Sequence, residues 1–118
     1  MIRRSGEFKC EVREKMRGGN GIVMIEHFWE PNTELKAKTR LCAKLTLAPG
    51  DSIGFHKHDN EEEVYIIIKG AAEAEDNWKI EKLYPGDTIL TGGGAGHSIK
   101  SVGTEPLEII AVINCYQQ

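Results

Sequence analysis

The chain has 118 residues, enough for one domain that buries roughly two-thirds of its unfolded surface and folds without disulfide or metal support. Fifteen basic against eighteen acidic residues give a net charge of -3 with no basic block, which excludes a surface that tracks a phosphate backbone. Three cysteines, Cys10, Cys42 and Cys115, are odd in number and in no C-x-x-C pattern; they read as buried thiols of a protein in a reducing compartment. The start MIRRSGEFK lacks an apolar run after its arginines and no stretch is long enough to span a bilayer, so a cytoplasmic location without membrane association is expected.

Taken in chain order, EFKCEVREKM is the one stretch whose composition tolerates a helix, but Phe8 and Val12 form no apolar stripe. MRGGNG, residues 16 to 21, reads as a flexible loop that reaches toward a neighbouring subunit. GIVMIEHFW is a strand closed by Pro-Asn, and it is more apolar than a solvated edge strand should be, so a symmetric homodimer that covers it is expected. Within it, His27 reads as a partly buried histidine near that subunit interface in preference to a place in a pocket. Phe28 and Trp29 read as core or interface.

TRLCAKLTLA then forms a strand with Lys44 facing out, before the turn APGD. EEVYIIIK is the next strand, with GAAEAEDNW read as turn. KIEKL leads to a second such turn, YPGD, and both turns are expected to deliver the chain into a strand carrying histidine. TIL precedes TGGGAG, whose glycines permit positive φ and shape the mouth of the fold; a phosphate loop would need a following helix, whereas HSIKSVG reads as strand. LEIIAVINCY is the last strand. Short β-branched runs at regular spacing make the chain all-β, a sandwich or barrel, in a single domain. Residues 1–40 are its extra N-terminal strands and 41–116 its core.

Side chains alternate along a strand, so His56 and His58 share one face and Lys57 takes the other. After the turn at Asp59-Asn60, where Glu61 is also placed, Glu63, Tyr65 and Ile67 share a face and Glu62, Val64, Ile66 and Ile68 the opposite one. Glu63 with Tyr65 reads as the polar wall of a cavity.

Residues 50 to 70 fit G-x5-H-x-H-x4-E-x6-G without a gap, through Gly50, His56, His58, Glu63 and Gly70. From Gly86 a second pattern, G-x5-P-x-G-x2-H-x3-N, is matched at Gly86, Gly94 and His97, with Gly92 in place of proline and Ser101 in place of asparagine. Together these resemble the two motifs of the cupin superfamily, in particular small single-domain cupins grouped with oxalate decarboxylase. The resemblance implies a double-stranded β-helix, or jelly-roll barrel, and a metal site of His56, His58, Glu63 and His97, with Glu62 as the alternative to Glu63. Three imidazoles and a carboxylate on inward faces need a cation among them, and they suit Mn, Fe, Co, Ni or Zn, with manganese and iron ranked level with nickel and zinc.

The function expected is that of a metal-dependent enzyme on a small carboxylate or other oxygenated substrate, resembling oxalate decarboxylase or a dioxygenase. Tyr65, His27 and Lys44 are its candidate acid or base groups. A binding or sensing module that captures a small molecule without reaction is the alternative. A sugar or sugar-phosphate isomerase is weaker, because no cluster of arginine or lysine marks an inward phosphate pocket, although Arg40 and Lys100 keep it open.

Overall fold

The computed structural model describes residues 1–116 and contains ten strands, with no α-helix among the described residues. They are β1 (Lys9–Glu14), β2 (Ile22–His27), β3 (Thr39–Leu47), β4 (Ser52–Lys57), β5 (Glu61–Lys69), β6 (Ala72–Asp76), β7 (Lys79–Leu83), β8 (Thr88–Gly92), β9 (Gly96–Ser101) and β10 (Leu107–Cys115). A six-stranded sheet in the order β1-β2-β3-β10-β5-β8 faces a four-stranded sheet in the order β4-β9-β6-β7. Neighbours in both are antiparallel, and the whole is the expected jelly-roll barrel.

Alternation sorts the residues. In β3, Ala43, Leu45 and Leu47 point inward and are buried, while Lys44 points out and meets Glu26 at 3.4 Å and Glu108 at 3.7 Å. In β5, Glu63, Tyr65 and Ile67 are inside, and Val64 and Ile66 lie half-buried on the outer face. The interior is completed by Ile53 and Ile99 of the small sheet and by Leu107, Ile109 and Ala111 of β10.

Several expectations change. EFKCEVREKM contributes β1, which pairs with β2 along its whole length, so GIVMIEHFW is not an edge; its Val23 and Ile25 are buried inside the barrel. Cys10 alternates outward on the edge strand β1 and is exposed, and Cys42 and Cys115 are half-buried, so the three are not a buried set. GAAEAEDNW holds a strand rather than a turn: low β-propensity hides β6, yet Ala72 and Ala74 alternate inward with the glutamates outside. Its hairpin turn is Asn77-Trp78, both with positive φ.

APGD and YPGD are the same turn, with Asp51 N–H donating to Ala48 O and Asp87 N–H to Tyr84 O, each at 2.9 Å. Only the first delivers the chain into a histidine strand; YPGD leads into β8, and His97 waits until β9. MRGGNG is not a free loop either. Met16–Gly18 form a 3-10 turn docked on β4, where a Cβ at Gly54 would collide with the Arg17 carbonyl.

Candidate metal centre

Between Ile53 and His56, β4 carries one residue more than β9: Ile53 pairs with Ile99 and His56 with His97. This β-bulge turns Phe55 outward and leaves both Ile53 and His56 facing the interior. Two residues on, His58 is also inside, its N–H donating to Ala95 O at 3.0 Å while its carbonyl accepts from Gly94 N–H at 2.8 Å. Gly94 sits at φ +94, so the glycine-rich turn fixes the backbone of His58.

Four side chains meet at this end of the barrel: His56, His58, Glu63 and His97, with donor atoms that all lie within 4.8 Å of one another. His97 Nε2 stands 3.1 Å from both His58 Nε2 and His56 Nε2 and 3.0 Å from Glu63 Oε1. His58 Nε2 is 2.9 Å and His56 Nε2 3.9 Å from the same oxygen. Glu62 faces outward, so the pattern's glutamate within the cluster is Glu63.

The outer nitrogens decide the tautomers. His56 Nδ1 lies 2.8 Å from Gly54 O, an atom that only accepts, so Nδ1 carries the proton and a neutral His56 presents a bare Nε2. His58 Nδ1 donates to Glu61, whose carboxylate is held by Arg40 through bonds of 2.6 and 2.7 Å. Glu61, expected in the turn, is the buried first residue of β5 and shares the inward parity of Glu63. The Arg40 guanidinium, opposed by burial and helped by His58, keeps the Glu61 carboxyl below its usual range. His97 Nδ1 has no partner among the described residues, and its ring stacks on Tyr65 at 4.7 Å and 10°.

Charge in the cluster follows from this packing. Burial would raise the pKa of Glu63, but the imidazoles of His56, His58 and His97 around it, in their protonated forms, outweigh burial and hold the carboxyl below its ordinary range. Burial pushes His97 toward the neutral form. Burial works the same way on His58, yet Glu63 and Glu61 together raise it. Burial and the adjacent Glu63 charge keep the Tyr65 phenol protonated far above its usual value.

The cluster opens on a cavity of about 110 Å³, the space of roughly three or four waters. His27 lines it, contrary to the interface reading, and bonds Glu11 at 2.7 Å. The reason is register: Tyr65, Ala111, Ala43 and His27 form one inward cross-strand row. Phe28 and Trp29 stay outside the cavity, half-buried against Phe8 and Arg3. Arg13, Arg17 and Arg40 also line it, where no inward cluster of arginine or lysine was expected. Two of the three arginines come from β1 and the 3-10 turn, which share no spacing with the histidine motifs. A shallower groove of about 530 Å³ crosses the outer face of the small sheet and includes none of the four clustered residues.

Comparisons with known proteins agree with this arrangement. The family model described as the cupin domain matches residues 43–113. The chain is 40% identical over 113 residues to the oxalate-binding protein of Thermotoga maritima, covering 96% of this chain and 93% of that one. A crystal structure of a predicted oxalate decarboxylase from Thermotoga maritima superposes with a TM-score of 0.92 at 39% identity, over 98% and 99% of the two chains. A cupin 2 conserved barrel domain protein from Salinispora arenicola, at 21% identity and a TM-score of 0.73 over 96% and 87% of the chains, shares the fold. The barrel, the two histidine motifs and these matches fit together: this chain belongs to the cupin family.

Proposed function

We propose that the protein binds one divalent transition-metal ion through His56, His58, Glu63 and His97 and uses it to capture a small dicarboxylate of the oxalate type. The observation that carries the reading is the facing of unprotonated donors. With Nδ1–H committed at His56 and His58, two bare nitrogens and a carboxylate oxygen point at His97 Nε2, and one proton there satisfies a single neighbour. A cation satisfies all four.

The spacing fits. Donors about 2.1 Å from an octahedral ion stand about 3.0 Å apart when adjacent and about 4.2 Å apart when opposite. The separations of 2.9, 3.0, 3.1, 3.1 and 3.9 Å lie within the range open to donors that share one such ion. Three imidazoles and one carboxylate suit Mn, Fe, Co, Ni or Zn better than calcium or magnesium. When bound, such an ion supplies a Lewis-acidic centre with positions left for ligand oxygens. The chain's own part is to hold His58 through Glu61, to keep His97 neutral by burial, and to surround the ligand with arginines.

The dicarboxylate is supported by those arginines and by the name of the 40%-identical Thermotoga protein. Binding without reaction is favoured over catalysis because the Tyr65 phenol, buried against Glu63, is poorly placed to exchange protons. Turnover on the same ligand is the second reading, favoured by the His27–Glu11 pair on the cavity wall. The test is to purify the protein without chelator or nickel resin, measure its metal, and reload it with each of the five ions. Oxalate should raise the melting temperature of metal-loaded protein only, without formate or carbon dioxide appearing. Stabilisation by oxalate with the metal removed would overturn the binding reading, and product formation would establish the enzymatic one.

A homodimer belongs to the same proposal, on new grounds. The outer face of the six-stranded sheet carries a cross-strand apolar row, Leu90, Val64, Val112 and Cys42, with Leu90 65% exposed. The three free cysteines accord with a reducing, cytoplasmic setting.

A further inference from the structure

Resting on that reading, we infer that Arg17 is the specificity-determining residue for a doubly charged ligand, pairing with the carboxylate group that projects away from the metal cluster. Three arginines line the cavity, and two are already engaged. Arg40 holds Glu61 through bonds of 2.6 and 2.7 Å, and Arg13 meets Glu11 at 3.3 Å. Among the described residues, the Arg17 guanidinium has no acidic partner. It lies close enough to the Tyr65 phenol for its charge to be felt there.

The backbone is bent to place it. Arg17 sits at φ 55, ψ 30 and Lys15 at φ 47, ψ 46, left-handed conformations uncommon for residues with side chains. The strain is held by the surroundings. Gly18 N–H bonds Lys15 O and Gly19 N–H bonds Met16 O, both at 2.9 Å. Asn20 is tied to Ser52 on both sides, its N–H to the hydroxyl at 2.8 Å and its carbonyl to Ser52 N–H at 2.9 Å. Gly19 and Gly54 bring the turn into backbone contact with β4, next to His56, and Met16 anchors it on the core. An arginine with a held backbone and an unpaired guanidinium thus lines a cavity that admits only a ligand of a few heavy atoms. Its geometry answers a carboxylate that the metal leaves uncovered.

The probes are oxalate and oxamate, which have the same number of heavy atoms but two charges and one. Calorimetric titration of Mn(II)-loaded wild type should show oxalate bound at least tenfold more tightly than oxamate. In Arg17→Gln, oxalate should weaken about 10- to 100-fold and the preference should collapse toward unity, with Mn(II) affinity unchanged. Arg17→Lys should recover part of the preference. Arg17→Gly, which relieves the left-handed strain, should melt no lower than wild type yet lose oxalate as Arg17→Gln does. An oxalate preference kept in Arg17→Gln overturns the role of Arg17 and leaves the proposed function standing. A metal-loaded wild type that binds no oxalate overturns the proposed function, and this inference with it.

Discussion

At the scale of single residues, the cluster depends as much on what stands behind the imidazoles as on the imidazoles themselves. The chain Arg40 to Glu61 to His58 fixes one ring by charge, and the Gly54 carbonyl fixes another by geometry. Glu61→Ala should therefore lower metal affinity about 10- to 100-fold in a competition titration, although Glu61 is not among the four clustered residues. Its acid response has a definite sign. Glu61 and Glu63 are held below the ordinary glutamate value of about 4.3, so the unfolded chain takes up protons first as pH falls. The stabilisation they give to metal-free protein is complete above about pH 4.3 and lost progressively below it, which melting curves between pH 7 and 3 will show. The four clustered residues were legible because they stand at the positions of the two motifs that the chain shares with the cupins. Glu61 was not, since a glutamate directly after a turn carries no sign of whether it faces water or a histidine.

Elements show where the alternation rule suffices and where it needs help. The sorting of Glu63, Tyr65 and Ile67 from Glu62, Val64 and Ile66 followed from period two alone. The bulge at Gly54-Phe55 could not be read that way, because an extra residue shows only against the partner strand. Its glycine has a second duty, since the 3-10 turn packs where a side chain would stand. Gly54→Ala should cost about 1–3 kcal/mol, a fall of about 4–12 °C in melting temperature, and should weaken oxalate binding by displacing Arg17. A melting temperature unchanged in that variant would show that the turn moves freely. The same element explains why MRGGNG reads in the sequence as a loose loop: glycines and left-handed residues mark both mobile chain and chain pressed tightly against its neighbour.

For the whole molecule, all-β character and the jelly roll were legible from strand spacing and the two motifs, whereas the ground for self-association was not. In GIVMIEHFW, Val23 and Ile25 line the barrel while Ile22 and Met24 stay on the outer face, and the row Leu90, Val64, Val112 and Cys42 comes from strands far apart in sequence that become neighbours only in the sheet. Leu90→Lys combined with Val64→Lys should convert a dimer to a monomer in light scattering without loss of metal, and a monomeric wild type would refute the homodimer. Arg13, Met16, Arg17, Ile25 and His27 give the N-terminal hairpin much of the cavity wall, yet it supplies none of the four clustered donors. In the proposed function, ion and guest would thus be handled by separate stretches of chain. A chimera that takes residues 1–30 from a cousin and keeps 39–116 should inherit the ion while changing its choice of guest, so that a single barrel can be retuned by recombination at one end.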